Sequence, residues 1–139
     1  MPHPMRFSRV RPPWPLALLF VSAGLTHFLR PEVFDAVVPP WVPLEPRTAT
    51  LISGAAELAG GLGLLLPATR PAASWGLIAL LLAVFPANIY MAQHPERYVP
   101  IPAWALWLRL PLQAALIWWV WNAGRVRNVE ELEGAEAGA

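Results

Sequence analysis

Five polar side chains interrupt the long apolar stretches of this sequence: His27, Glu57, Asn88, Arg109 and Gln113. Together they could recognise or protonate a small molecule. Histidine and glutamate exchange protons, arginine grips an oxygen pair through a planar fork, and the two amides both donate and accept. A charge placed in hydrocarbon costs about 2.5–3.5 kcal/mol on insertion scales, so such residues require partners or a wet cavity. Glu57 and Arg109 form the natural pair, since each neutralises the other. Gln113 lies four residues after Arg109, on the same helical face, and can hydrogen-bond the same carboxylate. Asn88 and His27 would then wall the group. One reading is a buried salt bridge that fixes helix order and register. The other is a small-molecule or proton site, the default expectation for ionisable groups within a membrane.

The elements that must position these residues are four apolar stretches, Trp14–Leu29, Thr48–Leu66, Ala72–Gln93 and Ala103–Asn122. A spanning helix needs about 17–25 residues at 1.5 Å each, so the first stretch is short and the others fit. Only 14% of the chain is charged, against about 25% in a soluble domain. Prolines 39, 40, 43 and 46 break the first connection, Pro67 and Pro71 bracket the second, and Pro95, Pro100 and Pro102 punctuate the third. The expected fold is therefore all-α, an integral membrane four-helix bundle with short Pro-rich connections and an interfacial cap between helices 1 and 2. Its expected organisation is a basic cytoplasmic arm over 1–13, a four-span domain over 14–122 and a short disordered tail over 123–139, rich in Glu, Gly and Ala.

Tryptophan and tyrosine placement agrees with this reading. Trp14 opens the first stretch, Trp75 the third, and Trp104 and Trp107 the fourth, which ends in Trp118, Trp119 and Trp121; Tyr90 and Tyr98 flank the third connection. These amphipathic rings favour the headgroup level. The alternative, a soluble helical bundle with buried tryptophan, lacks the polar stripe that a surface helix needs. A cleaved signal peptide is a second alternative, but the first apolar run passes into Thr26, His27 and Phe28 with no clear cleavage site. With the N-terminus inside, the inner segments hold Arg6, Arg9, Arg11, Arg70, Arg125 and Arg127, and the outer ones hold Arg30, Arg47 and Arg97. That excess places both termini in the cytoplasm of a plasma-membrane protein. All five polar residues then fall in the outer half, and the inner half is expected to hold no ionisable group.

The neighbourhood of Glu57 supports burial. Ser53, Gly54, Gly60 and Gly61 share its face and let another helix approach closely. Pro86 and Pro111 lie inside spans and free the carbonyls of Leu82 and Trp107 beside the polar cluster. The segment Pro31–Arg47 is too apolar for an aqueous loop and too rich in proline to be slack, which suits a cap over the outer end.

Several classes are excluded or weakened. A net charge of +1 offers no case for nucleic-acid binding. The chain has no Cys, so a disulfide framework, a Cys-based metal site and a thiol relay are excluded. No metal or flavin motif is visible, and Gly61-Leu62-Gly63 lacks the strand and third glycine of a nucleotide loop.

The chain resembles the DoxX family of small four-span membrane proteins. The resemblance rests on Thr26-His27-Phe28, Pro39-Pro40-Trp41-Val42-Pro43, Ser53-Gly54-Ala55-Ala56-Glu57, Pro86-Ala87-Asn88-Ile89-Tyr90-Met91 and Arg109-Leu110-Pro111-Leu112-Gln113. It covers roughly residues 14–122. It implies sulfur–quinone redox chemistry or oxidative-stress metabolism, since that family includes a subunit of an archaeal thiosulfate:quinone oxidoreductase and a mycobacterial partner of a superoxide dismutase and a sulfurtransferase. A quinone would be the implied cofactor, with electrons supplied by protein partners in a redox complex. The second expectation is a non-enzymatic scaffold or assembly factor, with the lipid bilayer and recruited proteins as partners. A transporter would need a homo-oligomer, because the chain is short for an inverted repeat. A channel would lack a polar lining in the inner half.

Overall fold

Proline sets nearly every helix boundary. The computed structural model describes residues 13–138, with side chains described through Gly124 and at Gly134, Ala137 and Gly138. The basic arm with Arg6, Arg9 and Arg11 lies outside the described residues. The helices are α1 (Trp14–Leu29), α2 (Pro31–Asp35), α3 (Pro46–Leu65), α4 (Arg70–Gln93) and α5 (Ala103–Ala137), with a 3-10 turn at Pro95–Arg97 between α4 and α5. Pro15, Pro31, Pro46 and Pro71 sit in the first turns of α1 to α4. A missing N–H costs nothing there and the ring already holds a helical φ. Helices stop just before the next proline for the complementary reason, since the residue preceding proline is pushed out of the α region. Leu66 before Pro67 is extended at φ −97, ψ 125, and Arg30 and His94 leave the helix at ψ 56 before Pro31 and Pro95.

Pro46 and Arg70, expected in connections, are thus the first residues of α3 and α4. The tail also differs from expectation. Backbone helix continues from Ala103 to Ala137, through the segment 123–137 that was expected to be disordered. Its Glu, Ala, Arg and Leu content favours helix propagation from an already formed helix.

The chain is all-helical among the described residues. α1 packs against α3, α4 against α5, and an α3–α4 contact joins the pairs, while α2 lies on α3. Leu16, Ala17 and Phe20 of α1, Leu64 of α3, Leu77, Ile78 and Leu81 of α4, and Val120 of α5 form the main core. Those residues come from the beginnings of α1 and α4 and the later parts of α3 and α5, so the helices converge at one end, the closed end. At the opposite, capped end a smaller cluster of Met91, Ala92 and Leu106 packs with Val37, Tyr98 and Leu110.

Glycines set the close α1–α3 approach. A Cβ on Gly24 would lie 2.9 Å from the Gly54 carbonyl oxygen, and one on Gly54 would lie 2.6 Å from the His27 Cβ. The outside is apolar. All eight tryptophans are at least 40% exposed, which removes the alternative of a soluble bundle with buried tryptophan. Three helical stretches, Pro46–Leu65, Arg70–Gln93 and Ala103–Gly124, are long and apolar enough to cross a membrane. α1 is apolar but only 16 residues long, about 24 Å at 1.5 Å per residue. The apolar helices with their outward tryptophans mark a membrane protein in contact with lipid.

Candidate functional site

Towards the capped end the helix pairs part and leave a pocket of about 610 Å³. It runs between α3, α4 and α5, and the segment after α2 roofs it with Val37, Val38, Pro39, Trp41 and Val42. His27, Glu57, Asn88, Arg109 and Gln113 all line it, among side chains that are otherwise mostly apolar. The cavity therefore has the size and the sparse polarity of a small-molecule site.

The pairing inside it differs from the sequence expectation. Glu57 faces His27, with Oε2 3.1 Å from Nδ1. No ion pair joins Glu57 to Arg109 among the described residues. The Gly24–Gly54 contact explains the choice. It seats α1 one turn from Glu57 and carries His27 to the carboxylate, whereas the pocket itself separates α3 from α5 and Arg109. His27 Nδ1 also lies 2.8 Å from the Ala23 carbonyl oxygen. A carbonyl can only accept, so Nδ1 carries the proton and directs it there. Glu57 Oε2 stays buried without a hydrogen bond of its own. The imidazole stacks on Phe34 of α2, centroids 3.6 Å apart, which couples the buried His27 to the cap.

Gln113 serves α4 rather than Glu57. Its Nε2 donates to the Leu81 carbonyl at 2.6 Å, and its Oε1 accepts from Asn88 Nδ2. The carbonyl used is one residue before Leu82, the one left without an N–H partner by Pro86. Gln113 is buried and Asn88 half-buried, so each amide satisfies the other. Arg109 is exposed at the pocket wall, and its guanidinium has no hydrogen bond or ion pair among the described residues.

Several polar residues escaped the sequence reading. Arg47 Nε donates to Asp35 Oδ2 at 2.8 Å, tying the start of α3 to α2. Thr50 is buried below them. Its hydroxyl and Asp35 Oδ1 make no hydrogen bond by distance and angle, yet the hydroxyl is near enough to hold the Asp35 carboxyl below its usual range, with Arg47 adding to the effect and partial burial opposing it. Thr50 could have been found, because it shares the face of Ser53, Gly54 and Glu57 at helical spacing. Phe34 carried no comparable signal. The closed end is not free of charge either. Arg70 is 4% exposed, and its Nε donates to the Leu64 carbonyl at 2.8 Å, while Thr69 Oγ1 donates to Gly63 at 2.7 Å. A cation at the end of α3 satisfies the unpaired carbonyls and the negative pole of that helix. Arg70, counted in the sequence as part of the connection between the second and third apolar stretches, is thus a buried first residue of α4.

No group of three or more His, Cys, Asp or Glu residues is placed to hold a metal ion among the described residues. The chain matches no curated protein and no solved structure. A model for a family described as a domain of unknown function, DUF8561, matches residues 16–124. That span holds all but the first two residues of the four long apolar stretches, together with the cap and every polar residue of the pocket, and it covers well over half of the chain, which therefore belongs to the DUF8561 family.

Proposed function

We propose that this is a four-span, DoxX-like membrane protein whose pocket binds a bilayer-dissolved small molecule by its polar head, as a quinone-linked component of a redox complex. The observation that carries the reading is the roughly 610 Å³ cavity in which His27, Glu57, Asn88, Arg109 and Gln113 meet beneath the apolar roof. A bare structural salt bridge would need no cavity. With both termini cytoplasmic and α1, α3, α4 and α5 each crossing the bilayer, the pocket opens in the outer leaflet. A quinone ring would lie against Val84 and Leu112, with its carbonyl oxygens reaching Arg109 or Asn88. The His27–Glu57 pair, 3.1 Å apart, is the proton-exchanging group such a ligand needs, since quinone reduction consumes protons. Electrons come from a partner protein or a soluble sulfur compound.

Calorimetric titration of the purified protein with decyl-ubiquinone should give saturable binding that Glu57→Gln and Asn88→Leu weaken. Absence of binding, or binding indifferent to both changes, would sink the quinone reading. The competing reading is a scaffold that recruits proteins through its cap, favoured by the exposure of Trp41 and Leu44 there. In that case a stoichiometric partner co-purifies in mild detergent, and Trp41→Ser releases it.

A further inference from the structure

Arg109 has no counter-charge among the described residues. Glu57, the single acidic residue in the lining, is turned to His27 at 3.1 Å. Asp35 of the cap is held by Arg47 at 2.8 Å. Gln113 is held between Asn88 and the Leu81 carbonyl, and neither amide carries a charge to set against the guanidinium. Arg109 sits six residues into α5, roughly 9 Å along the helix from its start, within a stretch apolar enough to cross a membrane. An arginine at that depth needs a counter-charge, and the described residues provide none. The pocket beside it is roomy and walled by Leu80, Val84, Leu112 and Leu116. α3 and α5 make no extensive contact with each other, so the cavity has an apolar flank between these helices that faces lipid.

We infer that the ligand of this pocket is an anionic amphiphile, held by Arg109 through a carboxylate, phosphate or ionised hydroxyquinone, with its apolar tail running between α3 and α5. The inference rests on the pocket reading above and narrows its ligand class from any hydrogen-bonding head to a negatively charged one. A guanidinium binds a carboxylate or phosphate in a bidentate fork, which adds specificity as well as strength. The neighbouring Trp107 and Leu108 are exposed, so the surface around Arg109 is apolar and suits a hydrocarbon tail.

The test is binding of tritiated oleate to the full chain in a neutral maltoside detergent, with unlabelled competitors. Oleate should displace the label at about one-tenth the concentration that oleyl alcohol requires, the tenfold ratio being what one modest charge-assisted contact supplies. Arg109→Gln should erase that ratio, and Arg109→Lys should retain most of it. Thermal unfolding of Arg109→Gln should stay at or above that of the unsubstituted chain, because the change removes an uncompensated charge. Phosphatidylglycerol and phosphatidylcholine as competitors separate the sources of the anion. Displacement by phosphatidylglycerol alone assigns a lipid headgroup, and failure of both assigns a free acid; either result supports an anion on Arg109. Equal competition by oleate and oleyl alcohol, or an unchanged ratio in Arg109→Gln, overturns the charge inference while leaving the pocket reading intact. Absence of saturable binding by any probe overturns both.

Discussion

At the scale of single residues, the chemistry of this protein is decided by which hydrogen-bonding group finds which partner. The sequence pairs Glu57 with Arg109, yet the carboxylate lies against His27, because the Gly24–Gly54 contact seats α1 close to α3. Gln113 was expected at the carboxylate and instead ties α5 to a carbonyl of α4. Spacing along one helix could show that Arg109 and Gln113 share a face, but not which neighbouring helix that face meets. Asp35 offers a measurable consequence. Folding lowers its pKa from 3.8, first through the Thr50 hydroxyl and then through Arg47. The stabilisation from its carboxylate is therefore complete above the unfolded value and is lost as pH falls through the folded one. Thermal unfolding in detergent should show an acid-side loss below pH 3.8 that Asp35→Asn abolishes, at the cost of lower stability at neutral pH. An acid limb unchanged by Asp35→Asn would remove Asp35 from the account.

At the scale of elements, the helices were legible because proline punctuates them. Its missing N–H and its effect on the preceding residue place both starts and stops. The misplacements arose where proline lies inside the first turn rather than before it, as at Pro46 and Pro71. The tail was misread for another reason: a sequence weak as an isolated helix can extend one already nucleated by packing. The small residues around Glu57 did signal close approach, yet they divide it between neighbours. Gly54 and Gly61 receive α1, while Gly60 receives Leu77 of α4. Gly54→Leu should separate α1 from α3, costing about 1–3 kcal/mol by overpacking and moving His27 off Glu57. Gly76 has nothing within 4 Å of an added Cβ, so Gly76→Leu is the matched control and should leave unfolding unchanged. Equal effects from the two substitutions would mean that the α1–α3 seam is not a determinant of stability.

At the scale of the whole molecule, the absence of native cysteine makes topology directly measurable. Single cysteines at Glu45 and Glu96 mark the capped end, and one at Ala68 marks the closed end. In intact cells a membrane-impermeant maleimide should label the first two and reach position 68 only after permeabilisation. The reverse pattern would invert the proposed orientation and turn the pocket towards the cytoplasm. Tryptophans mark the same two levels, with Trp104 and Trp107 near the capped end of α5 and Trp118, Trp119 and Trp121 towards the closed end. From Trp104 to Trp121 is about 25 Å along the helix, somewhat less than a typical hydrocarbon core of about 30 Å. α1 is shorter still, at 16 residues, and it cannot be lengthened by tilting. In the proposed four-span arrangement, a bilayer of ordinary thickness would have to dimple inward on the α1 side of the protein. That deformation carries a modest energy for each ångström of misfit, so the protein should partition preferentially into thin, fluid regions of membrane and away from thick, sterol-like ordered ones. The local thinning would also bring headgroups down towards the mouth of the pocket, which shortens the distance any amphiphile must travel to reach it.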